Sequence, residues 1–202
     1  MKKFTNGTIR KYIDDLAAKK ATPGGGSVAA LIAAMGVGLI SMVSQFSNKN
    51  KEIKKILKNS SRLKKQLIKL VDDDVLAYNK VKVAYSKPKK TESQRVVRMK
   101  TIEKSLKGAL DVPKQISQLS YECLKLVKRL TKIGNKNLIS DTAMSALLLH
   151  TSFHSALYNV KINLKNIKDK KFNQRIKKQM QSTTKKVDIL NKEILKGVNE
   201  VL

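Results

Sequence analysis

Residues 20–43 read KATPGGGSVAALIAAMGVGLISMV, and the fold turns on how this stretch is taken. Three consecutive glycines, Gly24, Gly25 and Gly26, open a run of small and apolar residues in a chain otherwise crowded with lysine. From Val28 to Val43 the run is apolar for about 16 residues, with Gly36, Gly38 and Ser41 inside it, short of the roughly 20 needed to cross a bilayer. It therefore reads as a buried central helix, capped by Ser27 and reaching about Phe46, and no membrane partner is expected. Its small side chains would let neighbouring backbones approach closely, as the centre of a bundle or a subunit contact requires.

Outward from this helix the chain supplies partners of helical period. Thr8 is placed to cap a first helix through Ala18, with Ile9, Tyr12, Ile13 and Leu16 on one face. Beyond SNKNK a third helix spans about residues 51–85. Thr91 and Gln94 have capping-box spacing for a fourth, about 92–131, which Pro113 should kink or interrupt. Gly134 reads as a C-terminal cap, Ser140 or Asp141 as the start of a fifth helix through about Ile167, and an amphipathic sixth runs from about Asp169 to Val201. With only three prolines and nine glycines in 202 residues, the expectation is one all-α domain, 1–202, folded as an up-and-down antiparallel bundle of about six helices.

Lys and Arg number 43 against 15 Asp and Glu, a net charge of +28 that attracts polyanions. Nucleic acid is disfavoured as the partner: there is no Trp, only four Phe and five Tyr to stack on bases, and lysine is spread along the helices rather than gathered in an arm. A single cysteine, Cys123, excludes an intrachain disulfide, and the start MKKFTNGTIRKYIDD has no apolar core of a signal peptide, so the cytoplasm is the expected compartment.

One polar side chain breaks its own helix's pattern. The third helix carries a stripe Leu63, Leu67, Leu70, Val71, Asp74, Tyr78, Val81; at about 100° per residue Asp74 falls near the stripe's centre, Asp72 nearly opposite and Asp73 on the flank. A core-facing aspartate either caps or pairs with a neighbour, or has its pKa raised by burial into the range useful for proton transfer. The glycine loop, residues 23–27, is a second candidate: its glycines could take positive φ and let amides approach an anion at a helix start, or it could be a hinge. It closes with no Gly-Lys-Ser/Thr and lacks GxGxxG spacing. Asn135 and Asp141 in GNKNLISD, and Asn159 and Asn163 a turn apart in ALYNVKINL, form a third group. His150 and His154 have i,i+4 spacing, but HTSFH lacks the HExxH glutamate and an evident third ligand, so they read as packing or surface residues.

Three segments, TPGGGSVAALIAAMG, DVLAY and GNKNLISDTAMSALL with ALYNVKINLKNI, together resemble the formiminotransferase-cyclodeaminase C-terminal domain family, which includes stand-alone methenyltetrahydrofolate cyclohydrolases. The likeness covers about residues 5–172 in order and spacing. It implies an all-α bundle, a homodimer, and a tetrahydrofolate derivative as substrate, with no metal and no nicotinamide. It places the family's proton donor/acceptor on Asp74, with Tyr78 where the family has phenylalanine. Pro23, Gly24, Gly25, Gly26, Ser27, Asn135, Asp141, Asn159 and Asn163 become candidates for the ligand pocket. Of the two family reactions, hydrolysis of 5,10-methenyltetrahydrofolate is favoured over cyclodeamination of the 5-formimino form, since no formimino-transferring domain is fused to this sequence. The lysine excess would then draw in a folate carrying a polyglutamate tail; the alternative from another class is a non-catalytic basic bundle that binds nucleic acid.

Overall fold

The computed structural model describes residues 3–202, and among them every regular element is a helix. After a 3-10 turn, Phe4–Asn6, come α1 (Ile9–Ala17), α2 (Gly25–Gln45), α3 (Lys51–Ser86), α4 (Glu92–Ile133), α5 (Ile139–Asn166) and α6 (Lys170–Asn199). Each of α2 to α5 packs on the next, and α5 returns to pack on α2, closing an antiparallel four-helix ring. The last helix, α6, lies against α4 and α5.

Local chemistry sets most boundaries where the sequence places them. Thr8 accepts the Lys11 amide to start α1, Asn50 accepts that of Ile53, and Asp169 that of Phe172. Thr91 and Gln94 form the capping box in full. Gly134 caps α4, its N–H donating to the Leu130 carbonyl. Three details go beyond that reading or against it. Pro113 does not interrupt α4, which runs through it as one helix of 42 residues. On α1 only Tyr12 is buried, and Ile9, Ile13 and Leu16 are exposed. Finally, α5 starts at Ile139 behind Leu138, with neither Ser140 nor Asp141 as its cap.

By length and composition alone α2 could cross a bilayer: it has 21 residues, and its window has a mean hydropathy of 2.1. Its apolarity is used inside the bundle instead, where Ala29, Ala30, Ala33, Val37, Ile40 and Val43 have no exposed surface. The small residues do what their size suggests. Ser145 and Ser152 of α5 donate to the carbonyls of Gly36 and Ala29, both at 2.8 Å, so α5 touches the backbone of α2 itself. A Cβ on Gly36 would stand 3.0 Å from the Leu149 side chain, which would have to give way to admit it.

Candidate active site

The start of α2 meets a carboxylate from α3. Gly24 is the cap residue and α2 begins at Gly25, so Ser27 lies inside the first turn rather than capping it. The first amides of a helix have no acceptor within it, and Asp74 supplies one: its Oδ2 accepts the Ser27 N–H at 3.0 Å. Gly26 is the reason the two can meet. A Cβ there would lie 2.0 Å from Asp74 Oδ1 and 2.6 Å from Cγ, inside the carboxylate itself. The glycine run thus gives close approach, but by leaving out a side chain and not through unusual dihedrals: no glycine among the described residues has positive φ.

Asp74 is half-buried, not in the centre of the core. The buried stripe of α3 continues through Leu70, Val71 and Val75, and Tyr78 is 44% exposed. The geometric cause is that α2 begins only at Gly25, so Asp74 stands over the end of that helix rather than against its side. Burial still dominates its titration: desolvation pushes the carboxyl above the usual aspartate range, and the Ser27 amide only partly offsets this.

A residue that periodicity did not single out completes this end. The buried Tyr12 shares a 3.0 Å hydrogen bond between its hydroxyl and Ser27 Oγ. Burial raises the Tyr12 pKa, the Ser27 hydrogen bond opposes this, and the nearby charges of Asp74 and Asp72 add to the rise. Asp72, read as pointing away, holds the N-terminal segment instead: it accepts the Phe4 amide at 2.7 Å and the Thr5 hydroxyl at 2.6 Å. Phe4 in turn sits edge-on to Tyr12, at 5.9 Å between rings. The signal for Tyr12 was present as the one aromatic residue in α1, but its stripe of four apolar residues concealed which of them would be buried.

The remaining candidates separate into two groups. Pro23 is buried and preceded by a cis peptide bond, and Gly25 is exposed. Asn159 lies over Gly25, with its carboxamide 3.6 Å from where a Cβ would be. It donates to the Ser155 carbonyl, and Asn163 donates to the carbonyl of Asn159. Through Gly25, Asn159 stands next to the contact of Asp74 with Gly26, and Asn163 follows it one turn along α5. Asn135 and Asp141 lie elsewhere: Asn135 donates its amide to Ser47 Oγ at 2.8 Å and its Nδ2 to the Phe46 carbonyl at 2.9 Å. That is the opposite end of α2, roughly 30 Å away at 1.5 Å per residue. Asp141, in the first turn of α5, belongs to that far end too.

The class this defines is an all-α antiparallel bundle with one desolvated acid seated on a glycine helix start. The chain belongs to the formiminotransferase-cyclodeaminase family, whose model matches residues 8–182. It is 33% identical to the methenyltetrahydrofolate cyclohydrolase of Methylorubrum extorquens over 96% of both chains. It is 30% identical to the formimidoyltransferase-cyclodeaminase of Rattus norvegicus, covering 87% of this chain and 34% of that protein. Among solved structures, the formiminotetrahydrofolate cyclodeaminase of Thermotoga maritima superposes with a TM-score of 0.79 at 29% identity, over 98% of this chain and 96% of that one. The all-α bundle expected from the sequence is borne out.

Proposed function

We propose that the protein is a methenyltetrahydrofolate cyclohydrolase with Asp74 as its general base and acid. The observation that carries this is the carboxylate of Asp74 over Gly26, half removed from water and held by one amide at 3.0 Å. The full-length similarity to a cyclohydrolase supports the choice of reaction. Water adds to the cationic methenyl carbon between N5 and N10, and Asp74 takes one of its protons. The C–N5 bond of the resulting carbinolamine then breaks as Asp74 returns that proton to N5. The second proton of the water leaves to solvent, giving 10-formyltetrahydrofolate with the N10–CHO group. The exposed Gly25 and the carboxamide of Asn159 form the wall along which the folate lies, with Pro23, Gly24, Tyr78 and Asn163 at its margin.

A second reading, cyclodeamination of 5-formiminotetrahydrofolate, is favoured by the solved cyclodeaminase that shares the fold. There N10 attacks the formimino carbon, and Asp74 passes a proton to the nitrogen that leaves as ammonia. The two readings are separated by mixing the protein with 5,10-methenyltetrahydrofolate and following loss of its near-ultraviolet absorbance, then with the 5-formimino compound and following its gain. Silence in both overturns the assignment.

Three further features belong to this proposal. The protein acts as a homodimer, supported by apolar side chains left outward on α2 and α5, Met35, Met144, Leu147, Tyr158 and Ile162. The +28 charge favours a polyglutamylated folate, tested by comparing KM for mono- and polyglutamate substrates at low and high salt. The buried, free Cys123, whose thiol burial pushes far up, suits the cytoplasm.

A further inference from the structure

We propose that His150, His154 and Asp188 form a binding site for one zinc-class divalent ion that clips α6 to α5. The two histidines stand one turn apart on α5, and Asp188 comes from α6, so the third ligand missing from HTSFH is supplied from a sequence distance of 34 residues. Both imidazoles aim Nε2 at the same atom: Asp188 Oδ1 lies 2.9 Å from that of His150 and 2.8 Å from that of His154. The candidate ligand atoms of the three residues all fall within 4.8 Å of one another. A tetrahedral ion with bonds of about 2.0–2.2 Å to nitrogen and oxygen spaces its ligands roughly 3.3 Å apart, so small side-chain rotations admit it.

The surroundings fit entry and retention. The side chains are 29%, 33% and 41% exposed, which lets an ion arrive from solvent and leaves a position for water. Phe153 meets the His154 ring nearly edge-on at 5.4 Å between centroids, limiting its orientation. The donor set also selects the ion. One carboxylate in a chain of net charge +28 offers little to Mg²⁺ or Ca²⁺, which seek several oxygens, whereas two imidazoles favour Zn²⁺, Co²⁺, Ni²⁺ or Cu²⁺. The ion would join two helices, and no part of the folate reaction is routed through it.

The test uses full-length protein without a histidine tag, stripped by chelator and dialysed against Zn²⁺ or Co²⁺ alone. One equivalent per chain should be retained, with a tetrahedral Co²⁺ visible spectrum and a melting temperature that rises with Zn²⁺ concentration. His154→Gln and Asp188→Asn should each weaken retention at least 100-fold and abolish the rise, while Mg²⁺ raises neither. Absence of a stoichiometric Co²⁺ spectrum in the unsubstituted protein overturns the proposal, whether or not the variants fold. So does retention that survives both substitutions, which would leave the cluster as an aspartate bracing two histidines.

Discussion

At its start α2 receives a side chain from another helix, the Asp74 carboxylate on the Ser27 amide; at its end it is held by a loop, with Asn135 donating to Ser47 and to the Phe46 carbonyl. Both ends lie beside turn-forming sequence, TPGGGS and GNKN, and both satisfy backbone groups that the helix leaves open. They differ in what is brought. The far end is closed with neutral amide and hydroxyl groups: Ser47 Oγ accepts from Asn135 and donates to Val43, and Asn135 Oδ1 accepts the Asn137 amide. The near end is closed with an ionisable acid that loses much of its hydration and gains one amide, so it stays ready to exchange a proton. Neutral closure holds the helix in place, and acid closure is where the proposed mechanism puts its chemistry.

The sharpest way to break this contrast is at Asp74. Asp74→Asn should lower turnover by about 10³-fold, within the range for loss of a general acid–base group, while the melting temperature holds or rises. Full activity in that variant would remove Asp74 from the mechanism. Next comes Gly26→Ala: with a Cβ placed 2.0 Å from Oδ1, the carboxylate must move, and turnover should fall about 10²-fold. Gly25→Ala, whose Cβ meets only Asn159 at ordinary contact distance, should raise KM more than it lowers kcat.

At the far end Asn135→Ala removes two side-chain hydrogen bonds and should cost about 1–2 kcal/mol in denaturant unfolding, with kcat unchanged. Its inertness toward turnover is the other half of the comparison. A finer measurement is the pH dependence of stability. The folded pKa of Asp74 lies above its unfolded one, so the native state binds more protons between them. Stability should fall as pH rises from the ordinary aspartate range through the elevated pKa, relative to Asp74→Asn, and level off above it. The smallest effect is expected of Tyr12→Phe, which removes the hydroxyl on Ser27 but leaves the Ser27 amide on Asp74, and should change turnover only a few-fold.

Helical period was enough for the bundle and for picking Asp74 from three adjacent aspartates. It misjudged how deep that carboxylate sits, because a stripe records which way a side chain faces and not where the facing helix begins. Glycine content left open an amide approach to an anion somewhere in residues 23–27 or a hinge; the approach found is that of Asp74 at residue 26, and its reason is a missing Cβ rather than a left-handed dihedral. Asn135, in a turn, and Asn159, inside the fifth helix, are both candidates for one ligand pocket on sequence alone. Tertiary placement sent one to hold the end of α2 and the other to lie over its start. The two histidines read as packing or surface residues with no evident third ligand, and the carboxylate beside them comes from another helix, where HTSFH spacing has no reach.

The overlap between residue 26 and the acid at 74 also carries an evolutionary consequence. The two positions form an epistatic pair: any methyl group arriving at 26 displaces the carboxylate, so a lineage cannot drift at that glycine while keeping its acid where it is. Among descendants of such a chain, a side chain at 26 should therefore travel with loss or relocation of the aspartate. Under the mechanism proposed for Asp74, that pairing gives a two-residue criterion for telling gene copies that still turn over folate from copies that only keep the fold.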